Sequence, residues 1–286
     1  MTLQILINGI LKGGLYGLMA LGMSLIWGVM NIINIAHGAF IMIGSYVTFF
    51  LFNSFGIDPF LSLVFSVPVL FFLGFIVQKH IINMVIRAEI FITLILAFGI
   101  EIFINNTALL IFTADVRKVK VAYGASNFSF FGATIPYVRL IAFGFAILIT
   151  IFLFILMSRT KLGRAIRATS QDLEGARLVG IKVSRIYAIT FGIGTALAGA
   201  AGTLWAIIFP VTPTMGGGLT LKSFVVTIIG GLGTMLGPVI GGLTLGIIEA
   251  FGTNWFGTTF ESLISFTILV IILIFMPKGI LKSKKE

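Results

Sequence analysis

Nine stretches of this chain are apolar over a length that can cross a lipid bilayer. They lie at 5–28, 35–52, 60–78, 89–112, 138–157, 187–209, 220–234, 236–252 and 262–277. A hydrocarbon core of about 30 Å needs roughly 20 apolar residues in helical conformation. The expectation is an all-α polytopic transmembrane bundle of 8–10 spans, nine being the best value. Three runs in the C-terminal half are short or broken by glycine.

Composition excludes the alternatives. Hydrophobic residues make up 58% of the 286 and charged residues 10%, against about a quarter charged in a soluble domain. The mean hydropathy is +1.16. Such a chain has too little polar surface to face water, and it is far too apolar for disorder. There are no cysteines, which removes disulfides and thiolate metal sites. The first residues lack the basic segment of a cleavable signal, and Lys12 interrupts the first apolar run. Gln4, Asn8, Lys12 and Tyr16 recur every fourth residue, a polar stripe expected to lie along the membrane interface or against another subunit.

The net charge is +10. In a soluble protein this would suggest nucleic acid, but here the basic residues cluster between apolar runs and read as topology signals. Arg159, Lys161, Arg164, Arg167, Arg177, Lys182 and Arg185 fall in 158–187; Lys278, Lys282, Lys284 and Lys285 fall in the tail, 277–286. Four expected spans separate the two clusters, so both sit on one side, the cytoplasmic one, as does the loop with Lys79 and Arg87. The N-terminus is then outside. Arg117, Lys118 and Lys120 are the exception, falling on the outer side. No internal repeat is visible, and the chain reads as a single transmembrane domain, 1–286.

Catalytic and nucleotide-binding patterns are missing. There is no GxxxxGK[ST], HExxH or GxSxG, and His37 and His80 are the only histidines. Neither a catalytic residue, a metal site nor a cofactor is expected, and any ATP-derived energy must come from another chain. Gly13/Gly17, Gly194/Ala198/Gly202, Gly233/Gly237/Gly241 and Gly242/Gly246 are spaced by four, as small residues are where helix backbones meet closely. Gly-rich 230–238 splits two short runs and could frame a substrate path, as broken helices do in transporters.

Polar residues inside the spans are the remaining candidates. Glu101 lies mid-span, where a carboxylate costs about 2.5–3.5 kcal/mol on insertion scales. Thr93, Ala97, Glu101 and Asn105 share a helix face; they line a translocation path or form a structural hydrogen-bond network. Asn31, Asn34 and His37 either line the path or cap a break between the first two spans. Glu249 sits near a span end and reads as structural. In the basic loop, 172–181 holds a short amphipathic pattern stopped by Gly180, of a kind that inserts into a partner's groove.

Four ordered segments resemble a known family. Asp172-x-x-x-Ala176 followed by Gly180-Ile181 resembles the coupling loop of ABC importer permeases. NIINIAHGAFIMIGSY (31–46), GGLGTMLGPVIGGLTLGIIEA (230–250) and MPKGI (276–280) resemble the LivH-type branched-chain amino acid permeases. Met276 and Ile280 depart from the closing motif, and Ala39 stands where an acidic residue is usual. Urea, amide and aromatic-acid permeases are similar too. The resemblance implies a non-enzymatic permease subunit in a bacterial inner (plasma) membrane. It implies a dissimilar LivM-like permease partner, two cytoplasmic ATPases and an external solute-binding protein, with membrane lipid around it and no nucleic acid. Arg164, Arg167, Asp172, Ala176, Gly180 and Ile181 would then form the ATPase-coupling loop. A stand-alone channel or secondary transporter, with Glu101 as its coupling site, is the alternative from another class.

Overall fold

The computed structural model describes residues 2–86, 88–130, 132–276 and 279–281. Arg87 and the basic tail residues Lys278, Lys282, Lys284 and Lys285 lie outside them. Twelve helices follow in order: α1 Thr2–Met30, α2 His37–Phe55, α3 Leu63–Val77, α4 Asn83–Val85, α5 Ile90–Phe112, α6 Tyr137–Arg159, α7 Lys161–Gln171, α8 Leu173–Leu178, α9 Val183–Ile208, α10 Gly216–Gly230, α11 Gly237–Phe256 and α12 Glu261–Phe275. A π-helical turn, Gln78–Ile82, joins α3 to α4. The one hairpin among the described residues, β1 Asn127–Phe130 with β2 Ala133–Pro136, sits between α5 and α6. Eight helical segments among the described residues are long and apolar enough to cross a membrane. α10, at 15 residues, is about 22 Å long at 1.5 Å per residue, short of a full crossing. The chain is a multi-pass membrane protein, and all nine expected segments are helices.

Close backbone approach organises the bundle. α1 packs antiparallel to α11 along a seam lined by glycine on α1. Cβ atoms added at Gly9, Gly13 and Gly17 would lie 2.8, 2.7 and 3.2 Å from backbone atoms of Ile247, Gly242 and Pro238. α1 crosses α9 where Gly22 meets Gly194, and α9 runs parallel to α2 where Gly44 meets Gly199. Hydroxyls stitch the same core. Ser45 donates to Gly202 O at 2.7 Å, Thr48 to Thr203 at 2.9 Å, and Thr195 to Leu70 O at 2.9 Å. Small residues and interhelical hydrogen bonds replace the hydrophobic drive that lipid does not supply.

The arrangement contains an inverted pair of units that the sequence does not display. Each unit is a long helix (α1 or α9), a non-helical break (31–36 or 209–215), a helix that starts inside the bundle (α2 or α10), and a third helix (α3 or α11). α3 lies antiparallel to α9, as α11 lies antiparallel to α1; α2 lies parallel to α9, as α10 lies parallel to α1. This layout corrects the expectation of no internal repeat. The units share backbone path and glycine contacts, while their side chains differ.

Two other expectations change. The stripe Gln4–Asn8–Lys12–Tyr16 faces inward. Gln4 bonds Thr134, Asn8 accepts from Arg139, and Lys12 and Tyr16 reach Glu249. The Gly-rich 231–236 segment is a tight turn at the α7 end of the bundle, where Gly231 (φ 103°) and Gly233 (φ 75°) reverse the chain, so the real interruptions are 31–36 and 209–215. After α12, Ile280 and Leu281 donate to Ile229 O and Gly230 O at 2.8 and 3.1 Å. They cap the last carbonyls of α10, with Gly279 (φ 73°) pressed against Gly231.

Replacing Gly13 with Leu should prevent the α1–α11 approach and cost about 1–3 kcal/mol or more by overpacking, seen as a lower melting temperature and aggregated product in detergent size-exclusion chromatography. Gly144→Ala, where a Cβ would meet nothing within 4 Å, should leave both unchanged.

Candidate functional site

The starts of α2 and α10 meet side by side in the bundle interior. A Cβ on Gly38 would fall 2.6 Å from Thr220 N, and Gly216 lies against Ala39. A helix that starts away from water leaves N–H groups unpaired. One hydroxyl serves both sides of the break here: Thr220 Oγ1 accepts from Gly38 N at 2.8 Å and donates to Ile35 O at 2.8 Å. The opposite break is closed by backbone, Arg117 and Val211 exchanging N–H···O bonds of 2.9 and 2.8 Å.

Of the sequence candidates, Asn34, His37, Glu101 and Asn105 are drawn to this junction. His37, fully buried, is the first residue of α2, and its Nε2 lies 2.8 Å from Met19 O. Glu101 and Asn105 on α5 face the α10 start: a Cβ on Gly217 would be 3.3 Å from Glu101 Oε1, and one on Gly216 3.1 Å from Asn105 Oδ1. The glycines thus leave room for a carboxylate at a helix N-terminus, where the backbone dipole favours negative charge. Asn34 Nδ2, His37 Nδ1 and Asn105 Oδ1 are buried without a hydrogen-bond partner among the described residues; because His37 Nε2 donates to Met19 O, the junction has one unused donor and two unused acceptors. Thr93 is buried on the same face of α5 but bonds Ile90 O, two helical turns away. Asn31 is exposed and in the left-handed region (φ 54°), its N–H bonded to Trp27 O. It ends α1 in the way Asn or Gly commonly does.

A second polar cluster is charged and lies toward the opposite end from α7. Lys12 contacts Glu249 at 3.1 Å and Glu261 at 2.9 Å. Lys222 contacts Glu249 at 3.4 Å and pairs with Glu261. Tyr16 donates to Glu249 at 2.7 Å and accepts from Lys222 at 2.7 Å, while Ser265 donates to Glu249. Two cations and two anions tie α1, α10, α11 and α12 together with no net charge, the condition under which charges tolerate burial. Glu249 is fully buried rather than interfacial. The sequence reading missed Thr220, Lys222 and Glu261. A lone Lys in the run 216–230, one helix before a lone Glu, was the available signal for the ion network; Thr220 carried none.

The basic loop folds into α7 and α8, bent at Asp172, whose carboxylate accepts from Glu174 N and Gly175 N, each at 3.0 Å. This is an N-cap. α8 ends in a Schellman motif: Ile181 N bonds Ala176 O at 3.0 Å, Gly180 N bonds Arg177 O at 3.0 Å, and Gly180 has φ 83°. Ala176 is buried toward the chain's own bundle, so the presented face is instead Leu178 and Val179, 89% and 76% exposed. Arg164 is exposed, whereas Arg167 is half-buried and donates to Met157 O at the end of α6.

Comparison with known proteins agrees with this architecture. Residues 5–273 match the family described as branched-chain amino acid transport system, permease component. The chain is 34% identical to the high-affinity branched-chain amino acid transport system permease protein BraD of Pseudomonas aeruginosa, over 98% of this chain and 95% of the relative. LivH of Escherichia coli (strain K12) gives the same identity and coverage. A probable LivH permease of Methanocaldococcus jannaschii is 31% identical over 97% of this chain and 91% of its own. No solved structure matches.

Thr220→Val removes the bridging hydroxyl at nearly constant volume. It should cost about 1–3 kcal/mol through the orphaned Gly38 N–H and Ile35 O, with Thr220→Ser retaining most of the stability in a detergent thermal melt. Glu249→Ala should cost about 3–5 kcal/mol by leaving Lys12 and Lys222 to share the single carboxylate of Glu261, read in the same assay.

Proposed function

The chain belongs to the branched-chain amino acid transport permease family, and from that premise we propose that it forms one of two dissimilar membrane subunits of an ATP-driven importer for branched-chain or related hydrophobic amino acids. It is a transport permease and not an enzyme. Two cytoplasmic ATPases, a LivM-like permease and an external solute-binding protein complete the assembly, in the bacterial inner membrane. The α7–α8 end is cytoplasmic in this reading, because Arg159, Lys161, Arg164, Arg167, Arg177, Lys182 and Arg185 cluster there, as cytoplasmic loops require.

The observation that carries the coupling assignment is the tip of α8. A six-residue helix, capped at both ends, holds Leu178 and Val179 out in solvent. Exposing two large aliphatic side chains is unfavourable unless a partner covers them. They insert into an ATPase groove, with Asp172 and Gly180 fixing the geometry and the basic residues around them holding the loop at the membrane surface. The translocation path runs past the α2–α10 junction, where Asn34, His37, Glu101 and Asn105 supply the polar groups. ATP-driven closure rocks this subunit against its partner, and the two inverted units alternate access to that junction.

Affinity capture of the tagged chain from its native membrane in mild detergent tests the assignment. A second permease and ATPase subunits should be recovered; a lone homo-oligomer would contradict it. Leu178→Glu, on an exposed side chain, should leave insertion intact, release the ATPases and reduce uptake at least tenfold. Gly180→Trp should do the same by straining the αL turn. Normal uptake by both variants would remove the loop from the coupling role.

A further inference from the structure

Beside the ion network, at the outer end of α1, α6, α9, α11 and α12, lies a cavity of about 360 Å³. Small-molecule sites occupy roughly 300–1,000 Å³, so this one has the size for a single compact solute. Leu11, Leu15, Ile208 and Phe209 line it with apolar groups, and Arg139, Lys12 and Glu261 line it with charged ones. The charged residues differ in their state. Lys12 is committed to Glu249 and Glu261. Glu261 pairs with Lys12 and Lys222 but keeps part of its side chain exposed, at 28%. Arg139 makes one long hydrogen bond, 3.4 Å to Asn8 Oδ1, and no carboxylate pairs with it among the described residues.

We propose that this cavity is an outer acceptance site for the amino-acid zwitterion, in which the Arg139 guanidinium takes the α-carboxylate, Glu261 the α-ammonium, and the apolar groups the branched side chain. The proposal rests on the importer reading above and adds to it a place where substrate is held by the permease itself. A guanidinium fork matches a carboxylate in a bidentate manner. Arg139, which has no carboxylate partner among the described residues, and the part-exposed Glu261 both line the cavity and meet the two opposite charges of the ligand; the hydrocarbon groups reject polar side chains for want of hydrogen-bond partners. The outer basic residues that broke the topology pattern also find a use. Lys118 and Lys120 line a second cavity of about 400 Å³ that shares Arg139 and Ile208 with the first, so positive charge leads up to Arg139 and draws the carboxylate inward.

The test uses the assembled importer in lipid nanodiscs, without the solute-binding protein, and measures bound tritiated leucine by scintillation proximity. Saturable binding is expected, displaced by unlabelled leucine but not by equal 4-methylpentanoate, which lacks the ammonium, or 3-methylbutylamine, which lacks the carboxylate. Arg139→Ala should weaken binding about tenfold or more, the loss typical of a charge-assisted contact, and Arg139→Lys should restore part of it. Thr253→Phe, which fills the cavity from α11, should abolish binding. Undiminished binding in both Arg139→Ala and Thr253→Phe, or equal displacement by all three compounds, would overturn the site. ATP-driven leucine uptake by the same complexes in proteoliposomes, with the solute-binding protein added back, separates the two levels. Wild-type uptake without saturable binding, or with insensitive variants, removes this site alone, whereas no leucine uptake by the wild-type assembly removes the importer reading.

Discussion

A backbone N–H with no water to bond is the constraint from which this architecture follows. Helices that span lipid satisfy themselves, but α2 and α10 begin inside the bundle, where their first N–H groups have no intrahelical acceptor. The structure answers by placing the two starts against each other and letting the Thr220 hydroxyl take one donor and supply one acceptor's proton. The other break borrows the backbone of Arg117. The helices around these breaks approach closely because glycine lines their contacts: a Cβ at Gly38, Gly44, Gly194 or Gly202 would meet neighbouring atoms at under 3 Å.

These demands tie the polar junction to the rest of the fold. α10 touches Glu101 and Asn105 through Gly216 and Gly217, α2 through Thr220, and the ion network through Lys222, all within its first two turns. A displacement of α10 therefore moves both the interior junction and the outer charged cluster. That coupling gives an inverted pair of units a mechanical meaning, since each broken helix packs parallel to the long helix of the other unit. The charged cluster resists such movement through four helices, and its neutrality lets it persist where isolated charge would not.

Much of this was legible in the sequence. Apolar run lengths place all nine segments, because burial of backbone in lipid leaves helix as the only choice. Asp172 and Gly180 announce the limits of α8, since capping chemistry is local. Glu101 and Asn105 are recognisable from fourfold spacing inside an apolar run. What was not legible depends on contacts distant in sequence. The stripe Gln4–Asn8–Lys12–Tyr16 turns inward because Thr134, Arg139, Glu249 and Glu261 lie opposite it. Thr220 is one hydroxyl among many until Ile35 and Gly38 stand beside it. The inverted units leave no trace in side-chain identity because glycine contacts and chain direction are what they share. Ala176, which the pattern puts on the docking face, is buried, and Leu178 and Val179 are exposed instead, since α8 is too short and sharply turned for helical periodicity to orient it.

The absence of native cysteines permits the most direct measurement of the central claim, that the α2–α10 junction lies on the path of transport. A single Asn105→Cys variant, in the assembled complex, is exposed to a membrane-impermeant thiol reagent with and without ATP turnover, next to Phe152→Cys on the exposed face of α6. The account predicts that Asn105→Cys is modified much faster during turnover and is protected by substrate, while Phe152→Cys stays unreactive under both conditions. A transport-competent Asn105→Cys protein that remains unmodified throughout, or one modified equally with and without turnover and substrate, would contradict it.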